Sequence, residues 1–396
     1  MSSPSQALAF LPYGRQTIEE DDIAAVAEAL RGDFLTTGPT VAAFEAAFAQ
    51  TVRAEHAVAC SNGTASLHLA MLALDVGPGD VCIVPSITFL ATASCAAYVG
   101  ADVVFADVDP LSGLMTPETL AEALERAAGR RVKAVLPVHL RGDVCDLPGL
   151  ARLAAQAGAV LVEDAPHALG SAMDFGGGPE RVGDGRHGLM ASFSFHPVKT
   201  IATGEGGMIT TPDAGVAEAL RRLRSHGMTR PAGADPWVYE MARPGFNYRL
   251  PDINCALGLS QLAKLPRFTA RRRALSALYR DRLAGLAPLV RLSESPPWSD
   301  PALHLLTVLI DFEAAGVSRR LVMERLTASG IGSQVHYIPV HTQPYWRQRN
   351  GALDLPGASA WYDRCLSLPL YPGLEDEDVE RVASALARAL GLAPGG

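Results

Sequence analysis

Six cysteines are scattered over the 396 residues, at positions 60, 82, 95, 145, 255 and 365, and none forms a CxxC pair. That spacing supports neither a disulfide framework nor a zinc ribbon and suits reduced, mostly buried thiols. Positive charge is also short. The 34 basic residues face 42 acidic ones, a formal charge of −8, which argues against nucleic acid or a membrane surface as partner. No apolar run reaches the roughly 18 residues that a membrane-spanning helix needs. The start, MSSPSQALAFLPYGRQ, lacks the basic and apolar regions of a secretory signal, so a cytoplasmic protein is expected. Walker A is missing, and GEGG at 204–207 is not GxGxxG. No histidine and carboxylate cluster has metal-ligand spacing, so no metal is expected.

What is present describes a compact globular protein, 48% hydrophobic and 19% charged, long enough for a large domain and a smaller one. A helix is expected over Thr17 to Arg31, with Thr17 as its cap, and a second from about Val41 to Arg53. Short β-branched runs then alternate with helical ones from HAVACS through AVLVEDA. That alternation predicts right-handed crossovers and a mostly parallel sheet, with ligands at the carboxyl ends of its strands. The run ASFSFH reads as a strand with one polar and one apolar face, ended by Pro197; Met208 to Thr211 reads as its hairpin partner. Beyond lies a long helix over Asp252 to Leu286, kinked or split at Pro266. The order is then strand (His304 to Phe312), helix (Ser318 to Ser329), strand (Ser333 to Tyr337) and final helix (Asp376 to Leu390). The expected division is a large domain over 1–255, followed by the linking helix and a smaller α+β domain over 256–396.

Four segments fall at strand ends. Gly63, Thr64 and Ala65 open a helix straight after HAVACS, where exposed amides and hydroxyls make either an ordinary helix start or a phosphate site. Phe89, after the next strand, is either a core aromatic or a cover for a planar ring. Asp164 ends a very apolar strand, where a carboxylate is costly unless a cation meets it, and a protonated pyridine nitrogen is such a cation. His167 follows it, alone more often a structural histidine. Lys199, between Pro197 and the GEGG turn, is a candidate Schiff-base lysine, or else a surface lysine of a hairpin. Together the four describe pyridoxal 5′-phosphate. Lys199 is the covalent anchor, Asp164 the partner of the ring nitrogen and Phe89 the cover. Thr64, Ala65 and Ser194 hold the phosphate.

The strings SNGTASLHLAMLAL, PSITFLATA, VEDAPHALGS, FSFHPVKTIATGEGGMITT, GFNYRLPDINCALGLSQL and HYIPVH, in this order, resemble the DegT/DnrJ/StrS nucleotide-sugar aminotransferases over nearly the whole chain. The resemblance implies fold-type I α/β architecture, with a seven-stranded, mostly parallel sheet in the large domain. It also implies transamination, because relatives with histidine at the position of Lys199 act as dehydratases. Asn247, and after it Arg249, would reach from one subunit toward the cofactor phosphate of the other, making a homodimer with shared sites. Without the family, that segment reads as a loop entering the long helix.

The finer resemblance, carried by FSFHPVKTIATGEGG, LRSHGMTR and VHYIPVHTQPYW, is to transaminases of pseudaminic acid synthesis that form UDP-4-amino-4,6-dideoxy-N-acetyl-β-L-altrosamine. It implies a UDP-linked 4-keto-6-deoxy-N-acetylhexosamine as acceptor and L-glutamate as donor. His336, Tyr337 and His341 would then lie near the sugar nucleotide. A structural role for the two histidines, in a turn around Pro339, stands beside that reading. The alternatives are a GDP- or dTDP-linked keto sugar, or a catalytically silent regulator on the same fold. Glu205 finds no role.

Overall fold

The computed structural model describes residues 9–392. Seven strands form the main sheet: β1 (His56–Cys60), β2 (Asp80–Pro85), β3 (Asp102–Ala106), β4 (Arg131–Val135), β5 (Val160–Asp164), β6 (Met190–Ser194) and β7 (Gly207–Thr211). Their spatial order is β1-β7-β6-β5-β4-β2-β3. The pairs β2–β3, β2–β4, β4–β5 and β5–β6 are parallel, and β7 runs antiparallel to both of its neighbours. Six strands therefore deliver their carboxyl ends to one side. The mostly parallel seven-stranded sheet expected from the resemblance is present.

Alternation along β6 decides what the sheet presents. Ser192 and Ser194 point one way; Ser192 Oγ meets Ser66 Oγ of helix α3 (Gly63–Ala73). Phe193 and Phe195 point the other way, onto Phe44 and Phe48 of helix α2 (Pro39–Val52), with ring centroids 5.1 Å apart for Phe48–Phe193 and 5.4 Å for Phe44–Phe195. All four rings are fully buried. Truncating one to alanine costs about 3–5 kcal/mol, so the pleat and these rings hold the polar face of β6 toward α3. The ladder stops at Ser194 rather than at Pro197. Phe195 N–H still bonds Gly206 O and its carbonyl accepts from Thr203 N–H, so the chain turns away before proline is reached.

Two expectations are corrected and a third is refined. The first helix, α1, is Glu20–Arg31. It starts at Glu19 because Glu19 N–H donates to Asp22 Oδ2, whereas the Thr17 carbonyl accepts from Gln261. The long helix is split, as expected, into Asp252–Ala263 and Leu265–Leu283, but the break falls at Lys264, with Pro266 in the first turn of the second helix. Ser333 to Tyr337 is not a strand. Its backbone pairs with the smaller sheet at one bridge, Gln334 to Ser367, and otherwise runs irregularly to the strand-end side of the main sheet.

The smaller sheet holds β8 (Val290–Leu292), β9 (Leu306–Ile310) and β10 (Cys365–Leu368), all antiparallel. It is backed by Leu275, Tyr279, Val382 and Leu386, in a hydrophobic cluster separate from the one beneath the main sheet. The main cluster also takes in Val340, Trp346 and Trp361, so the chain between β9 and β10 folds back over the large sheet. That return places its histidines and tyrosine beside the strand ends.

Candidate active site

A cavity of about 900 Å3 opens at the carboxyl ends of β5 and β6. Asp164 is the last residue of β5 and pairs in register with Ser192 of β6. Lys199 lies in the loop between β6 and β7, in a turn closed by its own N–H to His196 O at 2.8 Å. Both line the cavity. The two groups sit on neighbouring strand ends because β5 and β6 are adjacent and parallel.

Asp164 is 4% exposed. Its Oδ2 accepts from the Thr92 hydroxyl at 2.5 Å, while Oδ1 has no partner among the described residues. Burial pushes this carboxyl up to about 6; the Thr92 hydrogen bond, Lys199 and His139 pull the other way. Burial also depresses the Lys199 amine to about 8 against the opposing pull of Asp164. Lys199 keeps some exposure to the cavity, so water there moderates the effect. Its direction, toward a neutral amine, follows from the low-polarity surroundings. A buried carboxylate with one oxygen unpartnered, next to a lysine of lowered basicity, suits a cationic ring nitrogen and a carbonyl-bearing cofactor.

The other end of the cavity suits an anion. Asn62 caps α3, its Oδ1 accepting from Ala65 N–H at 2.8 Å. The amides of Gly63 and Thr64, in the first helical turn, have no intrahelical acceptor, and both residues line the cavity beside Ser194. A Cβ on Gly63 would lie 2.8 Å from Ser194 Cβ, so glycine is what lets α3 approach β6 this closely. Ala65 also lines the cavity, but the cap occupies its amide. The residues thus fit pyridoxal phosphate at both its ring nitrogen and its phosphate.

The remaining wall is aromatic. Phe89 is 57% exposed at the mouth, its ring centroid 6.1 Å from that of Tyr337. Tyr337 Oη lies 3.2 Å from His167 Nε2, and His167 packs on His304 at 4.5 Å. His336 Nδ1 is 2.8 Å from Ser367 Oγ. Burial, then the charge of Lys199, pushes His336 down to about 3, and the same two causes hold His167 well below the usual histidine range. These rings are neutral near pH 7.

Three residues singled out from the sequence lie off this cavity within the chain. His341 is buried, with Nδ1 2.6 Å from Ser86 Oγ. That contact and the Val340 N–H to Ser86 O bond tie the returning segment to the end of β2. Asn247 is exposed and Arg249 half-buried. Their neighbour Tyr248 does line the cavity, its hydroxyl 3.2 Å from His68 Nδ1. Glu205 sits at the mouth, its carbonyl accepting from Thr203 and Asn254. Thr92, Tyr248 and His304 were missed by sequence reasoning. Only Thr92 carried a signal: Thr88 and Thr92, four apart in PSITFLATA, place two hydroxyls on one side of a helix start that follows a strand end.

Comparison with known proteins identifies the family. The profile described as the DegT/DnrJ/EryC1/StrS aminotransferase family matches residues 16–387. The structure is similar to PseC of Helicobacter pylori, an aminotransferase involved in the biosynthesis of pseudoaminic acid, with TM-score 0.87 and 28% identity, covering 96% of this chain and 99% of that one. It is equally similar to the aminotransferase TlmJ of Streptoalloteichus hindustanus, with TM-score 0.87, 32% identity and the same coverage. Spr1654 of Streptococcus pneumoniae, in its PLP-form, matches with TM-score 0.86 and 28% identity, again over 96% of this chain and 99% of that one. The chain belongs to the DegT/DnrJ/EryC1/StrS aminotransferase family and is a pyridoxal phosphate-dependent sugar aminotransferase.

Proposed function

We propose that the protein transfers the amino group of L-glutamate to C4 of a UDP-linked 4-keto-6-deoxy-N-acetylhexosamine, in the manner required for pseudaminic acid synthesis. The observation that carries the transamination is the pairing of Lys199 with the half-satisfied carboxylate of Asp164 in one cavity. The substrate rests on less: the similarity to PseC at 28% identity and the returning segment His336-Tyr337 in the cavity wall.

Pyridoxal phosphate, when bound, supplies an electron sink that stabilises negative charge developing at the substrate carbon. Lys199 would anchor it covalently, Asp164 Oδ1 would accept from its ring nitrogen, and Phe89 would cover the ring. Gly63, Thr64 and Ser194 would receive the phosphate, with Ala65 contributing through the cap that shapes the helix start, and His167 would border the ring beside Asp164. Lys199 Nζ would be the group that takes the proton from the donor's α-carbon and, in the second half of the cycle, delivers one to C4 of the sugar. A pKa near 8 leaves roughly a tenth of such an amine neutral at pH 7, where an ordinary lysine would be almost wholly charged. His336 and Tyr337 meet the sugar. His341 supports them from behind through Ser86, a positioning role.

The proposal includes a homodimer in which Asn247 and Arg249 complete the phosphate site of the other subunit. Their position off their own cavity supports it. It also includes the division into 1–255 and 256–396 and a cytoplasmic setting. The test is to offer the UDP-, GDP- and dTDP-linked keto sugars side by side with glutamate. Products are read by mass spectrometry, with the configuration at C4 by NMR. Turnover of a GDP or dTDP sugar alone would sink the UDP assignment and leave the transamination standing. A coloured protein that glutamate does not bleach would favour the silent regulator.

A further inference from the structure

We infer that Thr88 and Thr92 form a hydroxyl chain of fixed polarity that orients Asp164, so that a single carboxylate oxygen is presented to the ring nitrogen of the bound cofactor. The inference rests on the role of Asp164 proposed above and extends it to two positioning residues that act through that carboxylate.

All three side chains are buried: Thr92 is 0%, Thr88 2% and Asp164 4% exposed. An ionised carboxylate only accepts hydrogen bonds, so the contact from Thr92 Oγ1 to Asp164 Oδ2 commits the one hydroxyl proton of Thr92. The 2.6 Å contact between Thr88 Oγ1 and Thr92 Oγ1 must then run from Thr88 to Thr92. Both protons point along the chain toward Asp164, and each hydroxyl polarises the next. A threonine in a first helical turn more often bonds its own backbone or water. Thr92 instead reaches a side chain 72 positions away in sequence.

The main chain of Asp164 is already fixed. Its N–H donates to Pro137 O at 2.9 Å and its carbonyl accepts from His139 N–H at 3.1 Å. What the backbone leaves loose is the last carboxylate torsion, which is broad and two-fold. Thr92 settles that torsion and saturates Oδ2, leaving Oδ1 without a partner among the described residues. The titratable groups that act on Asp164 from neighbouring elements are Lys199 and His139, Cys95 of the helix Leu90–Tyr98 and Tyr337. None of them supplies a hydrogen bond to the carboxylate in place of Thr92.

The experiment compares Thr92→Val, Thr92→Ser and Thr88→Val with the unaltered protein and with Asp164→Asn. Two readouts are independent of turnover. One is the dissociation constant of pyridoxal phosphate. The other is the pH at which Asp164 titrates in the cofactor-free protein, followed by carboxyl-carbon NMR. Thr92→Val should weaken cofactor binding about tenfold, the size of one charge-assisted hydrogen bond, and move the Asp164 titration upward. Thr92→Ser should restore both, and Thr88→Val should move both in the same direction by about two- to threefold in binding. Thr92→Val binding within twofold of the unaltered protein, or Thr92→Ser failing to rescue, overturns the inference. Should Thr92→Val not fold, Thr88→Val carries the test, because it leaves the Thr92 hydroxyl in place. Asp164→Asn with unchanged cofactor affinity would overturn the role of Asp164 itself, an outcome distinct from a failure of the threonines alone.

Discussion

Tyr337 donates no proton to His167; the imidazole donates to it. Arg141 N–H bonds His167 Nδ1 at 3.2 Å, so Nδ1 is the accepting nitrogen. The neutral ring carries its proton on Nε2, 3.2 Å from Tyr337 Oη. The two rings are nearly parallel, with 18° between their planes. His167 follows β5 and Tyr337 belongs to the returning C-terminal segment, so this bond ties the two walls of the cavity together.

Replacing Tyr337 with Phe should leave the buried Nε2–H of His167 without an acceptor and destabilise the protein by about 1–3 kcal/mol. The proposed contact of Tyr337 with the sugar predicts that KM for the keto sugar rises while the rate of bleaching by glutamate stays close to normal. Stopped-flow of the isolated donor half-reaction separates the two. An effect confined to that half-reaction would place Tyr337 away from the sugar.

Lys199→Ala should abolish turnover together with the borohydride-reducible linkage to the cofactor. The fold should survive, because the alanine removes a buried amine that burial already disfavours as a cation. Residual turnover in a purified variant, above the level set by free cofactor, would mean another residue moves the proton.

The cofactor-free protein should show a two-sided pH dependence of stability. The folded-state pKa of Asp164 is raised to about 6, so between the ordinary carboxylate value and pH 6 the folded protein holds a proton that the unfolded chain has lost. Stability falls as pH rises through that window. The pKa of Lys199 is lowered to about 8 from 10.5, so between pH 8 and 10.5 the unfolded chain holds the extra proton, and stability rises with pH there. These two groups therefore contribute least between about pH 6 and 8. The buried thiols, pushed up to about 12 at Cys60, Cys82, Cys255 and Cys365, lower stability above pH 9 in both proteins, so the readout is the difference: thermal melts should show the unaltered protein gaining on Lys199→Ala between pH 8 and 10.5.

The proposed homodimer with shared sites makes a quantitative prediction about mixtures. Lys199→Ala and Asn247→Ala each disable a site, but a mixed dimer of the two would hold one site with both lesions and one intact. Random reassembly of equal amounts should recover about a quarter of full activity. Recovery no greater than the sum of the separate variants would mean that Asn247 serves its own subunit.

Arg141 and Asp143 form a buried ion pair, at 3% and 0% exposure, beneath the His167 turn. Burial lowers the arginine pKa and raises that of the aspartate, each against the pull of its partner. Asp143→Ala strands the guanidinium and should cost about 3–5 kcal/mol in denaturant unfolding. The loss should extend to the cavity, since Arg141 also receives His304 N–H on its carbonyl. A variant as stable as the unaltered protein would show that water replaces the partner.

Local sequence was enough for much of this. The alternation of Ser192, Phe193, Ser194 and Phe195 dictates a two-faced strand whatever lies around it, because side chains on a strand alternate. β-Branched runs separated by helical ones dictate a parallel sheet, and with it the side on which Asp164 and Lys199 emerge. Glu19 was harder to read than Thr17 as a helix start. Its capping partner Asp22 is also held by Lys264 and Gln261 from a distant helix, and tertiary contact chose between two plausible caps. Ser333 to Tyr337 has a strand's composition, yet only Gln334 pairs through its backbone with the smaller sheet.

By itself, then, the sequence determined the periodicities, the sheet class and the identity of the groups at the strand ends, since these follow from spacing along one chain. Only the tertiary structure decided which oxygen of Asp164 is left open, that Thr92 takes the other, and that Tyr337 faces His167 from 170 positions away. Hydrogen-bond direction and partner choice depend on angles and distances between elements, and no pattern within a single element encodes them.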